Sequence, residues 1–159
     1  MRRHQAAGSR PWVTAGLGVW LIAVALTGCL LDLEEQKRHI RANDLPLKRL
    51  TPQAFLDVWG APTYQYESDA QFYPVADGQY VPSFRVPAGE VPRNWNASIV
   101  SGTGRFLAYP DRGELLGFLA NRLVYRERLP AAQLHSLGAT WAREDKLRTS
   151  IERDLLKPR

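Results

Sequence analysis

The chain contains very little cysteine and histidine, and each shortage excludes a class of protein. Its 159 residues include one cysteine, Cys29, and three histidines. A single cysteine cannot form a disulfide within the chain, so packing alone must stabilise the fold. Zinc sites need clustered cysteine, histidine or carboxylate ligands, whereas His39 and His135 stand far apart in the sequence. We therefore predict neither a metal site nor a cofactor.

Acidic residues are missing from the N-terminal part of the chain, where the first acid is Asp32. Arginines stand at positions 2, 3 and 10, and residues 12–26 are apolar except for Thr14. A basic start followed by a short apolar run is typical of an export signal. We therefore predict that residues 1–28 are a signal peptide that is removed.

The only cysteine follows this apolar run directly, in Leu26-Thr27-Gly28-Cys29. These four residues resemble the lipobox of bacterial lipoproteins, in which cleavage precedes a cysteine that then carries lipid. The resemblance implies cleavage between Gly28 and Cys29 and attachment of acyl chains, palmitate included, to Cys29. Leu30 rather than an aspartate comes next, which by analogy with known sorting implies the periplasmic face of the outer membrane.

An uncleaved membrane anchor is the alternative interpretation. Residues 12–31 are 20 in number, and a spanning helix needs ~20 apolar residues. Glycines at positions 16, 18 and 28 weaken such a helix, and it leaves the position of Cys29 unexplained. Both interpretations place the arginines in the cytoplasm and everything after residue 31 outside it.

Removal of the signal changes the charge balance that the whole chain suggests. Three arginines and no acid leave with residues 1–28, so the formal charge falls from +5 to +2. Weak positive charge in an exported protein argues against nucleic acid as a partner. The remaining 131 residues are enough for one domain with a hydrophobic core.

Three stretches of helix are predicted. Residues 29–49 are charge-rich and are expected to form a tether, in which Leu33 to Arg41 is either tether or a short exposed helix. The second helix begins at Thr51-Pro52 and ends before Gly60, with Trp59 expected in the core. The third spans Ala131 to Leu156 with Gly138 as a weak point. Its two apolar stripes are Leu134, Leu137, Trp141 and Leu147, Ile151, Leu155.

The strands are predicted from alternation and turn signals. Residues 64–73 alternate, with Tyr64, Tyr66 and Phe72 on one face. Val-Pro pairs recur every five residues between 81 and 92, which indicates an edge strand or a long loop, or else an extended arm that recognises a partner. A three-stranded antiparallel meander follows at residues 105–109, 115–119 and 122–129.

Few side chains suggest chemistry. Ser101-Gly102-Thr103-Gly104 resembles a phosphate loop weakly and is interpreted as a flexible turn, because no helix follows it. On the last strand Arg122, Arg126 and Arg128 are expected to share a face with Val124, opposite Leu123, Tyr125 and Leu129. This row is either a solvated face or a binding site for an acidic partner.

The segment Leu50 to Thr63, LTPQAFLDVWGAPT, gives the closest resemblance to a known family. It is similar to the threonine-started helix closing on Gly-x-Pro-Thr in small outer-membrane lipoproteins of the SmpA/OmlA (BamE) type. The resemblance implies an α+β domain, with short helices packed on an antiparallel sheet of about three strands, here over residues 50–130. Residues 131–159 are then an added C-terminal helical extension.

The same resemblance implies a non-enzymatic scaffold or accessory factor in outer-membrane assembly that contacts another envelope protein. Two alternatives stay open. One is a periplasmic lipid- or peptide-binding module using the aromatic face of Tyr64, Tyr66, Phe72 and Tyr73, which a deep apolar pocket would favour. The other is a cell-wall hydrolase, which a converging histidine or carboxylate pair in a cleft would favour.

Overall fold

The computed structural model describes residues 31–155, which form three α-helices and one five-stranded antiparallel sheet. The helices are α1 (Leu33–Arg41), α2 (Pro52–Trp59) and α3 (Ala131–Leu155). The strands are β1 (Tyr64–Pro74), β2 (Tyr80–Pro82), β3 (Val100–Tyr109), β4 (Glu114–Leu119) and β5 (Arg122–Arg128), in the order β2-β1-β3-β4-β5. The α+β class is confirmed. The sheet exceeds the predicted three strands because β1 and β2 join the meander.

Helix α2 has the predicted bounds, and α1 has the bounds of the short helix that was one of the two interpretations of Leu33 to Arg41. The expected exposure of this helix is wrong, because one of its sides is buried. Ile40 of α1 is 1 % exposed and Gln36 is 4 % exposed. The Gln36 side-chain oxygen accepts hydrogen bonds from the Thr51 amide at 2.9 Å and the Thr51 hydroxyl at 2.8 Å. The threonine before α2 therefore fastens α1 to the domain instead of capping its own helix.

The sheet separates two apolar layers. On one face α1 and α2 pack against strands β3, β4 and β5, through Ile40, Leu50, Phe55, Leu107, Leu116, Phe118 and Leu123. On the other face α3 covers the sheet, through Phe72, Phe106, Leu115, Tyr125, Leu134 and Trp141. The first predicted stripe of α3 thus packs on the sheet, whereas Leu147 and Ile151 of the second stripe are exposed.

Two glycines serve close packing and not flexibility. A Cβ at Gly138 of α3 would collide with the Tyr64 ring, so this position is a contact point and not the weak point expected. A Cβ at Gly104 would lie 2.7 Å from the Phe72 ring. The prediction of a flexible turn at residues 101–104 is wrong, because these residues extend β3 and give the aromatic rings their space.

A register shift in β5 changes which side chains share a face. Gly117 pairs with Tyr125 and Phe118 with Leu123, which leaves Val124 as an extra residue. Leu123 therefore packs in the α1/α2 layer and Tyr125 in the α3 layer. The predicted common face of Leu123 and Tyr125 is wrong, because one inserted residue reverses the alternation of the strand.

The Val-Pro segment contributes an edge strand, as one of its interpretations predicted. β2 pairs only with the end of β1, from Phe72 to Pro74. Arg85 then reaches the opposite edge of the sheet, where its guanidinium binds both carboxylate oxygens of Glu127 at 2.7 and 2.9 Å. The sheet is therefore curled enough to bring its two outer strands together.

Candidate binding cleft and the predicted site residues

The three predicted arginines do not form one exposed row. Arg126 binds the two carboxylate oxygens of Glu114 at 2.6 and 2.9 Å, and Arg128 binds one of them at 3.1 Å. Glu114 is only 4 % exposed, so Arg126 compensates a buried acid. Arg122 precedes the extra residue and donates to the Lys48 carbonyl at 3.4 Å, on a different face of the strand.

A cleft of about 520 Å³ opens next to Arg128, where α1 and α2 end. The turn between β3 and β4 forms its opposite side. Its polar and aromatic lining is Arg41, Asn43, Trp59, Asp111, Arg112, Glu114 and Arg128, and its aliphatic lining is Ile40 and Val58. Residues from α1, α2, the turn, β4 and β5 therefore meet at this site.

Trp59 belongs to the core on one side and to the cleft on the other. Its ring packs edge-on against Phe55, with centroids 4.9 Å apart, and against Tyr109 at 5.3 Å. The Arg112 guanidinium lies 4.8 Å from the ring centroid, within cation–π range. The Tyr109 hydroxyl donates to the Gly60 carbonyl at 3.1 Å, and burial raises the pKa of Tyr109 to about 12. Tyr109 thus remains a protonated donor that holds the end of α2.

The charge of the cleft is unbalanced towards the positive. Its lining contains three arginines, Arg41, Arg112 and Arg128, and two acids, Asp111 and Glu114. Arg126 also binds Glu114, and Arg41, Arg112 and Arg128 are all exposed residues. The side chain of Arg128 is 70 % exposed and can bind an outside carboxylate while it keeps its contact with Glu114.

The aromatic face of β1 is covered by α3. The Tyr66 ring stacks on Trp141 at 5.3 Å, and its hydroxyl donates to Glu144 at 2.7 Å. The Tyr64 hydroxyl hydrogen-bonds to Nδ1 of His135 at 2.8 Å. Tyr73 points the other way and contacts Trp95. The space above these rings is therefore occupied by the protein's own helix, which weakens the case for a ligand-binding face there.

The two described histidines serve local contacts. His39 binds the Asp44 carboxylate at 2.8 Å, and His135 is exposed and hydrogen-bonds to Tyr64. Within residues 31–155, no group of three or more histidine, cysteine or acidic side chains is placed to hold a metal. Over the same range no helix combines the length and apolar character that crossing a bilayer requires. The predicted lipidation and cleavage at Gly28 and Cys29 lie outside the described residues.

The two sides of the sheet differ in how freely a partner strand could pair with them. On β5, the Leu123 amide donates to the Leu50 carbonyl at 2.8 Å, and the Arg126 amide donates to the Gln79 side chain at 3.0 Å. On the other side, β2 covers only the end of β1, and along the uncovered part Arg148 of α3 donates to the Glu67 carbonyl at 3.4 Å. The segments that lie along these edges restrict the addition of a partner strand, particularly at β5.

Comparison with protein-family models, with curated proteins and with solved structures gives no match. The SmpA/OmlA resemblance therefore stays a prediction from the sequence. Of the cleft residues, the sequence indicated only Arg128 as a binding residue. Trp59 was expected in the core and not in a site, and Arg41 and Arg112 were missed. Arg41 is the last residue of α1 and Arg112 lies in a turn, and no periodic pattern connects them.

Proposed function

We propose that the protein is a lipid-anchored envelope lipoprotein at the periplasmic face of the outer membrane. In this proposal it is a non-enzymatic scaffold that binds another envelope protein in the cleft beside Trp59. The observation that carries the binding role is the rim of Arg41, Arg112 and Arg128 around a half-buried tryptophan. The lipobox at Cys29 supports the anchored location.

The chemistry of the rim favours an acidic segment of the partner. Guanidinium groups bind carboxylates with two parallel hydrogen bonds, which gives both strength and orientation. Tryptophan and arginine are also the side chains that contribute most often to protein–protein binding energy. Arg112 already lies over the Trp59 ring, so a carboxylate bound to it would extend an existing contact.

The shape of the cleft supports a protein partner as well. It is open, and its lining combines charged side chains with one aromatic ring and two aliphatic side chains. Small-molecule sites are usually enclosed and mostly apolar. The lining contains no serine, cysteine or histidine, so the common pairs of nucleophile and base are not formed within it. Binding without reaction is the use that these residues support best.

Removal of two charges tests the site. The double variant Arg41→Gln/Arg112→Gln should lose most of its co-purifying envelope protein when membranes are gently solubilised and bound proteins are quantified. Arg143→Gln/Lys146→Gln on α3 is the matched control, because it removes equal charge from exposed side chains away from the cleft. Binding of the partner to the wild type should weaken as salt is raised. The binding that remains in the cleft variant should depend on salt less. Equal capture by wild type and both variants would refute the cleft.

A further inference from the structure

The folded domain begins almost immediately after the predicted lipid site. Leu31 is 8 % exposed and packs in the same apolar layer as Leu50 and Phe55. Its carbonyl accepts a hydrogen bond of 2.7 Å from the buried Gln36 side chain, which also holds Thr51. Asp32 then caps α1 by accepting from the Glu35 amide at 2.9 Å. The chain is therefore fixed to the domain from Leu31 onward.

Only one residue separates Leu31 from Cys29. Each residue of an extended chain spans at most ~3.6 Å, so the two Cα atoms are at most about 7 Å apart. For comparison, α1 with its nine residues is about 14 Å long. A connection shorter than one helix of the domain cannot act as a free tether.

We propose that the lipid on Cys29 holds the domain directly against the bilayer, with the N-terminal end of α1 facing the phospholipid headgroups and the cleft facing away. This proposal rests on the lipidation in the proposed function and adds an orientation to it. The 29–49 tether expected from the sequence is replaced by a contact between the domain and the membrane surface.

The end of the domain near Leu33 presents an apolar side chain and several charged ones. Leu33, the first residue of α1, is 41 % exposed. Arg49 is exposed and stands two residues before Thr51, which is bonded to Gln36. An exposed apolar side chain can enter the boundary between acyl chains and headgroups, and a cation can bind the phosphates there. Three acids also lie at this end, namely Asp32, Glu34 and Glu35, of which Glu34 is bound by Lys37 at 2.9 Å. The contact is therefore supported by the short connection to Cys29 and by Leu33, and not by net charge.

The orientation determines how a partner reaches the cleft. Ile40 and Arg41, at the C-terminal end of α1, line the cleft. They lie roughly 10–12 Å along the helix from Leu33, at a rise of about 1.5 Å per residue. The membrane end and the cleft therefore occupy opposite ends of α1, and the partner approaches from the periplasm.

Site-specific quenching tests this orientation in the full lipidated protein. Because lipid occupies the thiol of Cys29, an introduced cysteine is the only free thiol of the mature chain. Leu33→Cys and Ala42→Cys place a fluorophore at the two ends of α1, and both positions are exposed. The proteins are reconstituted in vesicles of phosphatidylethanolamine and phosphatidylglycerol that contain headgroup-spin-labelled phospholipid. The Leu33 label should lose most of its emission and the Ala42 label little.

A linker variant and a flotation assay separate the possible outcomes. A flexible Gly-Ser insertion of about ten residues between Leu30 and Leu31 should make the two labels equally and weakly quenched. Equal quenching without the insertion, in protein that floats with the vesicles, would overturn the orientation and leave the anchor intact. Protein that does not float would overturn the lipid anchor itself, and the orientation with it.

Discussion

Replacement of Arg126 by glutamine should destabilise the domain strongly, because it leaves a buried acid short of its main partner. Arg126 makes both of the short contacts to Glu114, at 2.6 and 2.9 Å, and the side chain of Glu114 is 6 % exposed. Loss of one partner from a buried pair costs ~3–5 kcal/mol. Arg126 is partly exposed and Arg128 remains bound, so we expect about 2–3 kcal/mol here. That is a large share of the ~5–15 kcal/mol typical of a domain.

Urea unfolding followed by tryptophan fluorescence would measure this loss. Arg128→Gln is the matched control: its side chain is mostly exposed and makes one contact of 3.1 Å, so its loss should be below about 1 kcal/mol. Glu114→Gln introduced into Arg126→Gln should recover part of the stability, since it removes the uncompensated charge. Equal effects of Arg126→Gln and Arg128→Gln would refute this reasoning.

Three further changes have defined outcomes. Trp59→Ala should cost about 2–3 kcal/mol in urea unfolding, less than the ~3–5 kcal/mol of a fully buried aromatic, because one side of its ring faces the cleft; an unchanged midpoint would contradict its packing role. Gly138→Ala should lower the melting temperature by the equivalent of ~1–3 kcal/mol, since the new methyl group collides with Tyr64; a higher melting temperature would show that the helix can shift freely. Burial disfavours the charge on Glu127, but hydrogen bonds from Arg85 and Tyr125 outweigh it and lower the pKa of Glu127. The contribution of Glu127 to the free energy of unfolding is therefore present above the ordinary glutamate pKa and is lost as pH falls through the lowered pKa. Glu127→Gln should remove this loss and so flatten the acid side of a plot of stability against pH.

Local signals were sufficient for some elements. Pro52 at the start of α2 and Gly60 after its last residue mark the ends of the helix, because such signals act within a turn of the chain. The burial of α1 could not be predicted in this way, because Gln36 finds its partner at Thr51, fifteen residues further on. The predicted number of strands was wrong for a similar reason, since β1 pairs with β3 across a long loop.

The candidate site was likewise predictable only where it depends on local sequence. An arginine row on β5 follows from simple alternation, but the extra residue Val124 shifts the pattern, and Glu114 on the neighbouring strand binds two of the three arginines. The cleft depends on the juxtaposition of Arg41 and Arg112, which are 71 positions apart in the sequence. Tertiary packing, not periodicity, brings them together.

The most direct test of the account is the mass of the N-terminal peptide of the protein extracted from membranes. The account predicts a peptide that begins at Cys29 and carries acyl chains, with residues 1–28 absent. A Cys29→Ser variant should lose both the lipid mass and the membrane association. A peptide that still contains residues 1–28, or an unmodified Cys29 in membrane-bound protein, would contradict the lipid anchor on which the proposed function and orientation rest.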